Sequence, residues 1–175
     1  MSRQEFLAKH AGTPQVRAAG YWNGKEIVIN GGSSIDEHFA EVMVHEYTHV
    51  VVTELAGHGG PPRWFNEGLA ENVRLAAIGQ EGKIDERDRQ NLAMLKKAGR
   101  LPSVMQLDAV FASMSAGVEV AYPLAAYAAA ILIDKKGYSQ YLDALREMKR
   151  TKAVQVIERN YMSVAELDKL VSDSL

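Results

Sequence analysis

Length, composition and charge already restrict what this chain can be. With 175 residues it has the length of one domain and can bury a substantial core, so we expect a single domain over residues 1–175. Its 20 Lys and Arg nearly balance its 22 Asp and Glu, and neither sign forms a long block, so no nucleic-acid partner is expected. It contains no Cys, which excludes disulfides and leaves His and carboxylates as the ligands for any metal ion.

No segment has the character of a signal peptide or of a membrane span. Residues 1–12 lack an apolar core of signal-peptide length. The longest apolar run, residues 120–133, is too short to cross a bilayer and contains Pro123. We therefore expect a soluble chain that stays in the cytoplasm unless a leader has been removed.

The first predicted element is a β-hairpin over residues 15–30. Asn23 and Gly24 together favour the positive φ angles of a type I′ turn, and extended runs lie on both sides of them. This hairpin directly precedes the segment that carries the most informative motif of the chain.

A long helix is predicted over residues 35–56. Ser34 and Glu37 have the spacing of a capping box, in which a hydroxyl and a carboxylate satisfy backbone N–H groups at the start of a helix. Side chains that recur at spacings of three and four mark the inward face of this helix. They are Phe39, Val42, Met43, Glu46, His49, Val50 and Thr53.

The same helix contains the sequence HEYTH, which is an HExxH motif. Residues four apart lie on one face of a helix, so His45 and His49 stand side by side with Glu46 next to them. Two imidazoles and a carboxylate on an inward face need a partner that compensates for their burial. A zinc ion held by the two His, with the Glu as a base for its water, would meet that need.

A second helix is predicted over residues 62–78, directly after a loop with three Gly and two Pro at 57–62. It carries WFNEGLAE, in which Trp64 is expected to anchor the packing of the two motif helices. Further helices are predicted over 85–98, 104–114, 122–136, 138–150 and 164–171. The predicted class is therefore α+β, with a small antiparallel hairpin packed on the HExxH helix and a mostly helical half over residues 85–175.

A catalytic zinc site takes three protein ligands, so His45 and His49 need a third. The His that metzincins place at position 55 is absent, because this position is Leu55, and Val52 stands where those proteins have Gly. The Asp in a Gly-Thr context that aspzincins use is also absent from the downstream sequence. A Glu on the following helix remains, and Glu67 lies at a suitable distance along the chain.

Around Glu67 the chain resembles the gluzincin metallopeptidases, and most closely their peptidase MA-like branch. The family pattern is an HExxH helix, a short loop and a helix that reads Pro-x-Trp-Phe-x-Glu-Gly-x-Ala-Glu. The residues that match the second helix are Pro62, Trp64, Phe65, Glu67, Gly68, Ala70 and Glu71. The resemblance covers roughly residues 26–175, because the segments 122–137 and 153–167 are also similar to later parts of the family.

This resemblance implies a zincin-like fold and a role for each of the polar residues in the two motifs. His45, His49 and Glu67 would bind one zinc ion, and Glu46 would act as the general base. Glu71 would accept a hydrogen bond from a ligand His and fix its tautomer.

Two assignments stay open at the level of the sequence. A tyrosine would stabilise the oxyanion of the tetrahedral intermediate, as in related gluzincins, and Tyr122 matches the position of that tyrosine. Tyr127 lies nearby, and spacing alone does not choose between the two. For the two Glu of the second helix, the alternative to a metal site is an exposed carboxylate stripe paired with Arg63 and Arg74.

The sequence therefore predicts a zinc metallopeptidase that hydrolyses peptide bonds in a peptide or protein substrate, with one Zn²⁺ as cofactor. The alternative is a zinc-binding but catalytically weak domain that recognises a peptide or a partner protein. The intact Glu46 favours the enzyme, since a structural zinc site needs no base. A third possibility is a helical interaction module without metal. No motif distinguishes an endopeptidase from an exopeptidase, and none is suited to anchor a substrate N-terminal amine.

Overall fold

The structure is a computed structural model that describes residues 2–12, 19–30, 35–57, 59–81, 85–113 and 117–175. Within these ranges the chain forms eight α-helices, a short 3₁₀ helix and one two-stranded antiparallel sheet, which is consistent with an α+β class. The strands are β1 (Gly20–Trp22) and β2 (Ile27–Ile29). The helices are α1 (Arg3–Lys9), α2 (Glu37–Ala56), α3 (Arg63–Ala77), α4 (Glu86–Lys97), the 3₁₀ helix Val104–Gln106, α5 (Leu107–Ser113), α6 (Val118–Met148), α7 (Ala153–Asn160) and α8 (Val164–Asp173).

The tip of the β-hairpin lies one residue further along the chain than predicted. The backbone N–H of Asn23 donates to the carbonyl of Glu26 at 3.3 Å, which leaves Gly24 and Lys25 as the two residues of the turn. The Asn23 side-chain oxygen accepts from the backbone N–H groups of Lys25 and Glu26 at 2.9 and 3.0 Å. This interaction holds Asn23 at the flank of the turn, so the predicted turn centre is wrong. Residues 15–18, the predicted start of the hairpin, lie outside the described residues.

The helix that carries the HExxH motif begins with a different cap from the one predicted. The side chain of Asp36 accepts a hydrogen bond from the backbone N–H of Phe39 at 2.9 Å, which makes Asp36 the N-cap of α2. Ser34 lies outside the described residues, and Glu37 is already the first helical residue, so the predicted capping box is wrong. The helix ends before Gly57, whose φ of 73° only glycine adopts without strain.

The core is built where α3 packs between α2 and α6. Trp64 and Phe65 are buried, as expected for the anchor of this helix, and Phe65 stacks on Tyr141 of α6 with ring centroids 3.9 Å apart. Gly68 allows the closest approach. A Cβ at this position would lie 2.4 Å from the carbonyl oxygen of Ala125 and 2.7 Å from the Cβ of Ala129. The short distance between α3 and α6 therefore depends on the absence of a side chain at Gly68.

The two helices predicted over 122–136 and 138–150 are both present and meet at Gly137 within α6. This helix already begins at Val118, so the predicted start at Tyr122 is late by about one turn. Gly137, with a φ of 79° and a ψ of 166°, interrupts the helical geometry and produces a kink where the sequence indicated a boundary. None of the helices in the described ranges combines the length and the apolar character that a membrane span requires.

The sheet packs on α2 through β1. Gly20 is the point of closest approach, because a Cβ there would lie 2.7 Å from Val42 Cγ1 and 3.4 Å from Glu46 Cγ. A larger residue would push β1 away from the helix. The strand is thereby held directly beside the acidic residue of the HExxH motif.

Candidate metal centre

His45 and His49 bring their imidazoles together on one face of α2. One helical turn separates them, and their rings meet edge to face with centroids 4.8 Å apart. Their Nε2 atoms are 3.2 Å apart. Both side chains are largely shielded from solvent, so the two nitrogens face each other inside the protein.

Glu67 on α3 adds a carboxylate oxygen to this pair. Its Oε2 lies 3.5 Å from His45 Nε2 and 3.4 Å from His49 Nε2. The residue is buried, and Oε2 has no hydrogen-bond partner among the described residues. A buried carboxylate oxygen without a donor is costly unless a cation compensates for it. In the described part of the chain, these three residues are the group of His and acidic side chains whose spacing could hold a metal ion.

The spacing of the three atoms fits a small tetrahedral ion. Bonds of about 2.0–2.1 Å in a tetrahedral zinc site place the ligand atoms about 3.3–3.4 Å from one another. The observed separations are 3.2, 3.4 and 3.5 Å. Two imidazole nitrogens and one carboxylate oxygen are also a donor set suited to zinc. The residues therefore fit the ion that the sequence predicts without a rearrangement of the helices.

The charges around this centre favour a cation. Burial would raise the pKa of Glu67, but its contacts with His45 and His49 lower it to about 2. Burial would lower the pKa of His45, yet its contacts with Glu67 and Glu71 raise it to about 9. In both cases the attraction between opposite charges exceeds the cost of burial. The centre is electrostatically prepared to hold positive charge.

Each imidazole is held through its other ring nitrogen by a residue of α3. His49 Nδ1 lies 2.9 Å from Asn66 Oδ1, and His45 Nδ1 lies 3.0 Å from Glu71 Oε1. Both partners are acceptors, so each Nδ1 carries a proton, and each Nε2 is the nitrogen whose lone pair a metal ion would take in place of a proton. The family resemblance implies the contact of Glu71, whereas nothing in the sequence indicated Asn66. Its contact depends on how α2 and α3 pack, which residue spacing does not specify.

Glu71 is itself held by an arginine. Arg74 donates to Glu71 Oε2 from Nε at 3.1 Å and from Nη2 at 2.9 Å, and its Nη1 donates to Glu41 Oε2 at 2.6 Å. One oxygen of Glu71 thus binds the guanidinium, and the other faces His45. The alternative prediction, an exposed carboxylate stripe, included this ion pair between Glu71 and Arg74. The prediction of an exposed stripe is nevertheless wrong, because Glu67 is buried.

Glu46 lies between the imidazoles and β1. It is buried, and burial raises its pKa above the usual range of a carboxyl group. The neighbouring His49 and His45, and a hydrogen bond from the backbone N–H of Trp22, oppose that rise without reversing it. A carboxyl group with a raised pKa is better suited to accept and return a proton near neutral pH.

The structure separates the two candidate tyrosines. Burial raises the pKa of Tyr122 and the carboxylate of Glu67 raises it further, so this phenol lies within electrostatic reach of the centre. Its ring packs edge-on against Phe111 with centroids 5.1 Å apart. Tyr127 instead donates its hydroxyl to the carbonyl of Ser174, at 3.3 Å, close to the C-terminal end of the chain. Tyr122 is therefore the candidate for the oxyanion donor that these contacts favour.

Comparison of the chain with protein-family models, with curated proteins and with solved structures found no match. The residues of the centre and their geometry are therefore the basis for a function.

Proposed function

We propose that this chain is a zinc-dependent metallopeptidase of the gluzincin type, with a zincin-like catalytic domain. The observation that carries the proposal is the convergence of His45 Nε2, His49 Nε2 and Glu67 Oε2 at separations of 3.2, 3.4 and 3.5 Å. The resemblance of the WFNEGLAE segment to the gluzincin pattern supports the same class. A zinc ion held by these residues would supply a Lewis acid that polarises a substrate carbonyl and lowers the pKa of a water molecule.

Glu46 is the general base of the proposed reaction. Its position after His45 on α2, its burial and the effect of the two imidazoles on its pKa support this role. It takes a proton from the attacking water and later donates that proton to the leaving amine. Its raised pKa supports both halves of this cycle, because a strongly acidic carboxyl would bind the proton too weakly to deliver it.

Tyr122 is the hydrogen-bond donor to the oxyanion that forms on the substrate carbonyl. Its pKa is raised by burial and by the nearby carboxylates, so the phenol stays protonated at neutral pH and can donate. The packing of its ring against Phe111 restricts its orientation before a substrate enters. A donor that is already in position needs no reorganisation when the charge develops.

Among the described residues β1 pairs with β2 alone, so its other edge supplies a place for an extended substrate. In an antiparallel pair the hydrogen-bonded positions alternate, and Asn23 bonds with Glu26, so Trp22 directs its backbone groups away from β2. The N–H of Trp22 bonds with Glu46, which leaves its carbonyl for a substrate. This edge lies beside Glu46, because β1 packs on α2 at Gly20. A peptide that adds to β1 as a further strand would pass directly in front of the proposed base.

Replacing Glu46 tests the peptidase against the recognition domain. Zinc-loaded Glu46→Gln should keep one zinc per chain by elemental analysis, while kcat/KM on a peptide selected from a broad library falls by about 10²–10⁴. The matched control is Glu54→Gln, an exposed position on the same helix, which should keep full activity. If the unmutated chain binds one zinc and cleaves no peptide in the library, the recognition domain becomes the better account.

Replacing Glu67 tests the third ligand. Glu67→Ala should lower zinc affinity sharply, because the site would retain two protein ligands where catalytic zinc sites have three. Affinity is measured by competition with a chromophoric chelator, with Glu54→Ala as the control. An unchanged affinity would show that another residue completes the site.

A further inference from the structure

Arg63 is a cation fixed at the edge of the proposed active site. It is the first residue of α3 and lies one helical turn before Glu67, on the same face of the helix. Its Nη1 donates to the backbone carbonyl of Phe111 at 3.1 Å, and its Cζ lies 5.7 Å from the centroid of the Phe111 ring. The residue remains exposed to solvent. The guanidinium is therefore held in one place while most of its donors stay accessible.

The charge of Arg63 is not compensated within the described part of the chain. No carboxylate of the described residues lies within ion-pair distance of its guanidinium. Arg74, by contrast, is bound by the two carboxylates of Glu41 and Glu71. A guanidinium that is oriented by an aromatic ring and a carbonyl, but lacks an acidic partner, is suited to bind a carboxylate from outside.

The position of Arg63 relates it to the reaction. The ring of Phe111 contacts both Arg63 and Tyr122, with its centroid 5.7 Å from Arg63 Cζ and 5.1 Å from the Tyr122 ring. The positive charge of Arg63 also acts on the phenol, because it opposes the rise of the Tyr122 pKa. Arg63 and Tyr122 thus contact the same aromatic ring, and the two distances put the guanidinium at most about 11 Å from the Tyr122 ring. An extended peptide, which advances about 3.4 Å per residue, spans that distance in about three residues.

We propose that Arg63 selects substrates that carry a carboxylate within about three residues of the scissile bond. The inference rests on the proposed peptidase function and assigns that function a substrate class. The planar guanidinium would bind the carboxylate through paired N–H donors, in a geometry that a neutral amide matches poorly. An acidic side chain and a free C-terminus both supply this group, and the experiment distinguishes them.

Paired peptides measure the preference. In peptides with an amidated C-terminus, Glu is compared with Gln at each position within about three residues of the cleaved bond. In peptides without acidic side chains, the free C-terminal acid is compared with the amide. We expect kcat/KM to favour the carboxylate in one of the two sets by about tenfold. Arg63→Gln should bring that ratio close to one, and Arg63→Lys, which keeps the charge without the fork, should give an intermediate ratio.

Arg146→Gln is the matched control. Arg146 is an exposed arginine of α6 that pairs with Asp143, so its replacement changes the net charge equally and should leave the ratio unchanged. The inference is overturned if neither carboxylate is preferred by the unmutated enzyme, or if Arg63→Gln retains the preference.

Binding of the same peptide pairs to zinc-loaded Glu46→Gln, measured by fluorescence anisotropy, separates this inference from the peptidase proposal. A carboxylate preference in binding that depends on Arg63, without cleavage of any peptide by the unmutated enzyme, would refute the peptidase and keep the recognition role. Cleavage without a preference in either assay would refute only the role of Arg63.

Discussion

Replacing Gly68 by Ala should destabilise the chain, although Ala is the better helix former. In an exposed helix interior the exchange would stabilise by about 1 kcal/mol. Here the added methyl group would lie 2.4 Å from the carbonyl oxygen of Ala125 and 2.7 Å from the Cβ of Ala129. The oxygen belongs to the backbone of α6 and cannot turn away as a flexible side chain would. The two helices must therefore move apart at the centre of the core.

The size of the effect follows from these opposing contributions. Inserting a methyl group into a packed core costs about 1–3 kcal/mol, and contact with backbone on a second helix places this site at or above the upper end. After subtraction of the gain in helix propensity, we expect a net loss of about 2 kcal/mol in the free energy of unfolding. For a chain of this size, that corresponds to a fall of roughly 4–8 °C in the unfolding midpoint.

The measurement is urea unfolding of metal-free protein, followed by circular dichroism. Gly59→Ala is the control, because a Cβ at Gly59 would have no neighbour within 4 Å and its φ lies outside the left-handed region. Its stability should change by about 0.5 kcal/mol or less, or rise slightly. A Gly68→Ala protein as stable as the parent would refute the argument that close packing of α3 on α6 requires glycine.

Two further predictions concern the metal centre. Zinc at a free concentration about 100 times its dissociation constant should add about 2.7 kcal/mol to the free energy of unfolding. In a thermal melt this gain should appear as a higher unfolding midpoint that EDTA removes. Equal midpoints with and without zinc would contradict binding of zinc to the folded state. Asn66→Ala should weaken zinc binding by about 10–100-fold, because His49 loses the acceptor that orients it, while Asn66→Asp keeps an acceptor and most of the affinity. Chelator competition measures both variants, and equal affinities for Asn66→Ala and the parent would show that His49 needs no such partner.

The sequence predicted those helices whose apolar spacing and capping residues can be recognised within a short segment. The apolar spacing in the HExxH segment indicated one long helix, and the structure has α2 there, with its cap at Asp36 instead of the box at Ser34. The helix α1 was not predicted, although Ser2 and Glu5 form a capping box at its start. This short helix buries only Phe6 among its residues, so it has no apolar periodicity to detect.

In the candidate site, too, the sequence predicted contacts within one helix but not contacts between different elements. Spacings of four residues already put His45 with His49, and Glu67 with Glu71, on single helix faces. The partner of His49 could not be predicted, because Asn66 reaches it only through the rotation of α3 against α2. The packing of β1 beside Glu46 could not be predicted from the sequence either. It depends on Gly20, whose missing side chain matters only once β1 lies on the helix.

The close contact at Gly68 also bears on which ions the centre would accept. The three donor atoms already lie 3.2–3.5 Å apart, as bonds of about 2.0–2.1 Å require. Calcium, with bonds of about 2.3–2.6 Å, would spread donors in the same arrangement to at least about 3.8 Å. Such widening would drive α3 towards α6, where Gly68 already touches the backbone of Ala125. At the proposed zinc site we therefore expect the packing of the helices to disfavour ions of the size of calcium, and the imidazole nitrogens to favour zinc among the smaller ions.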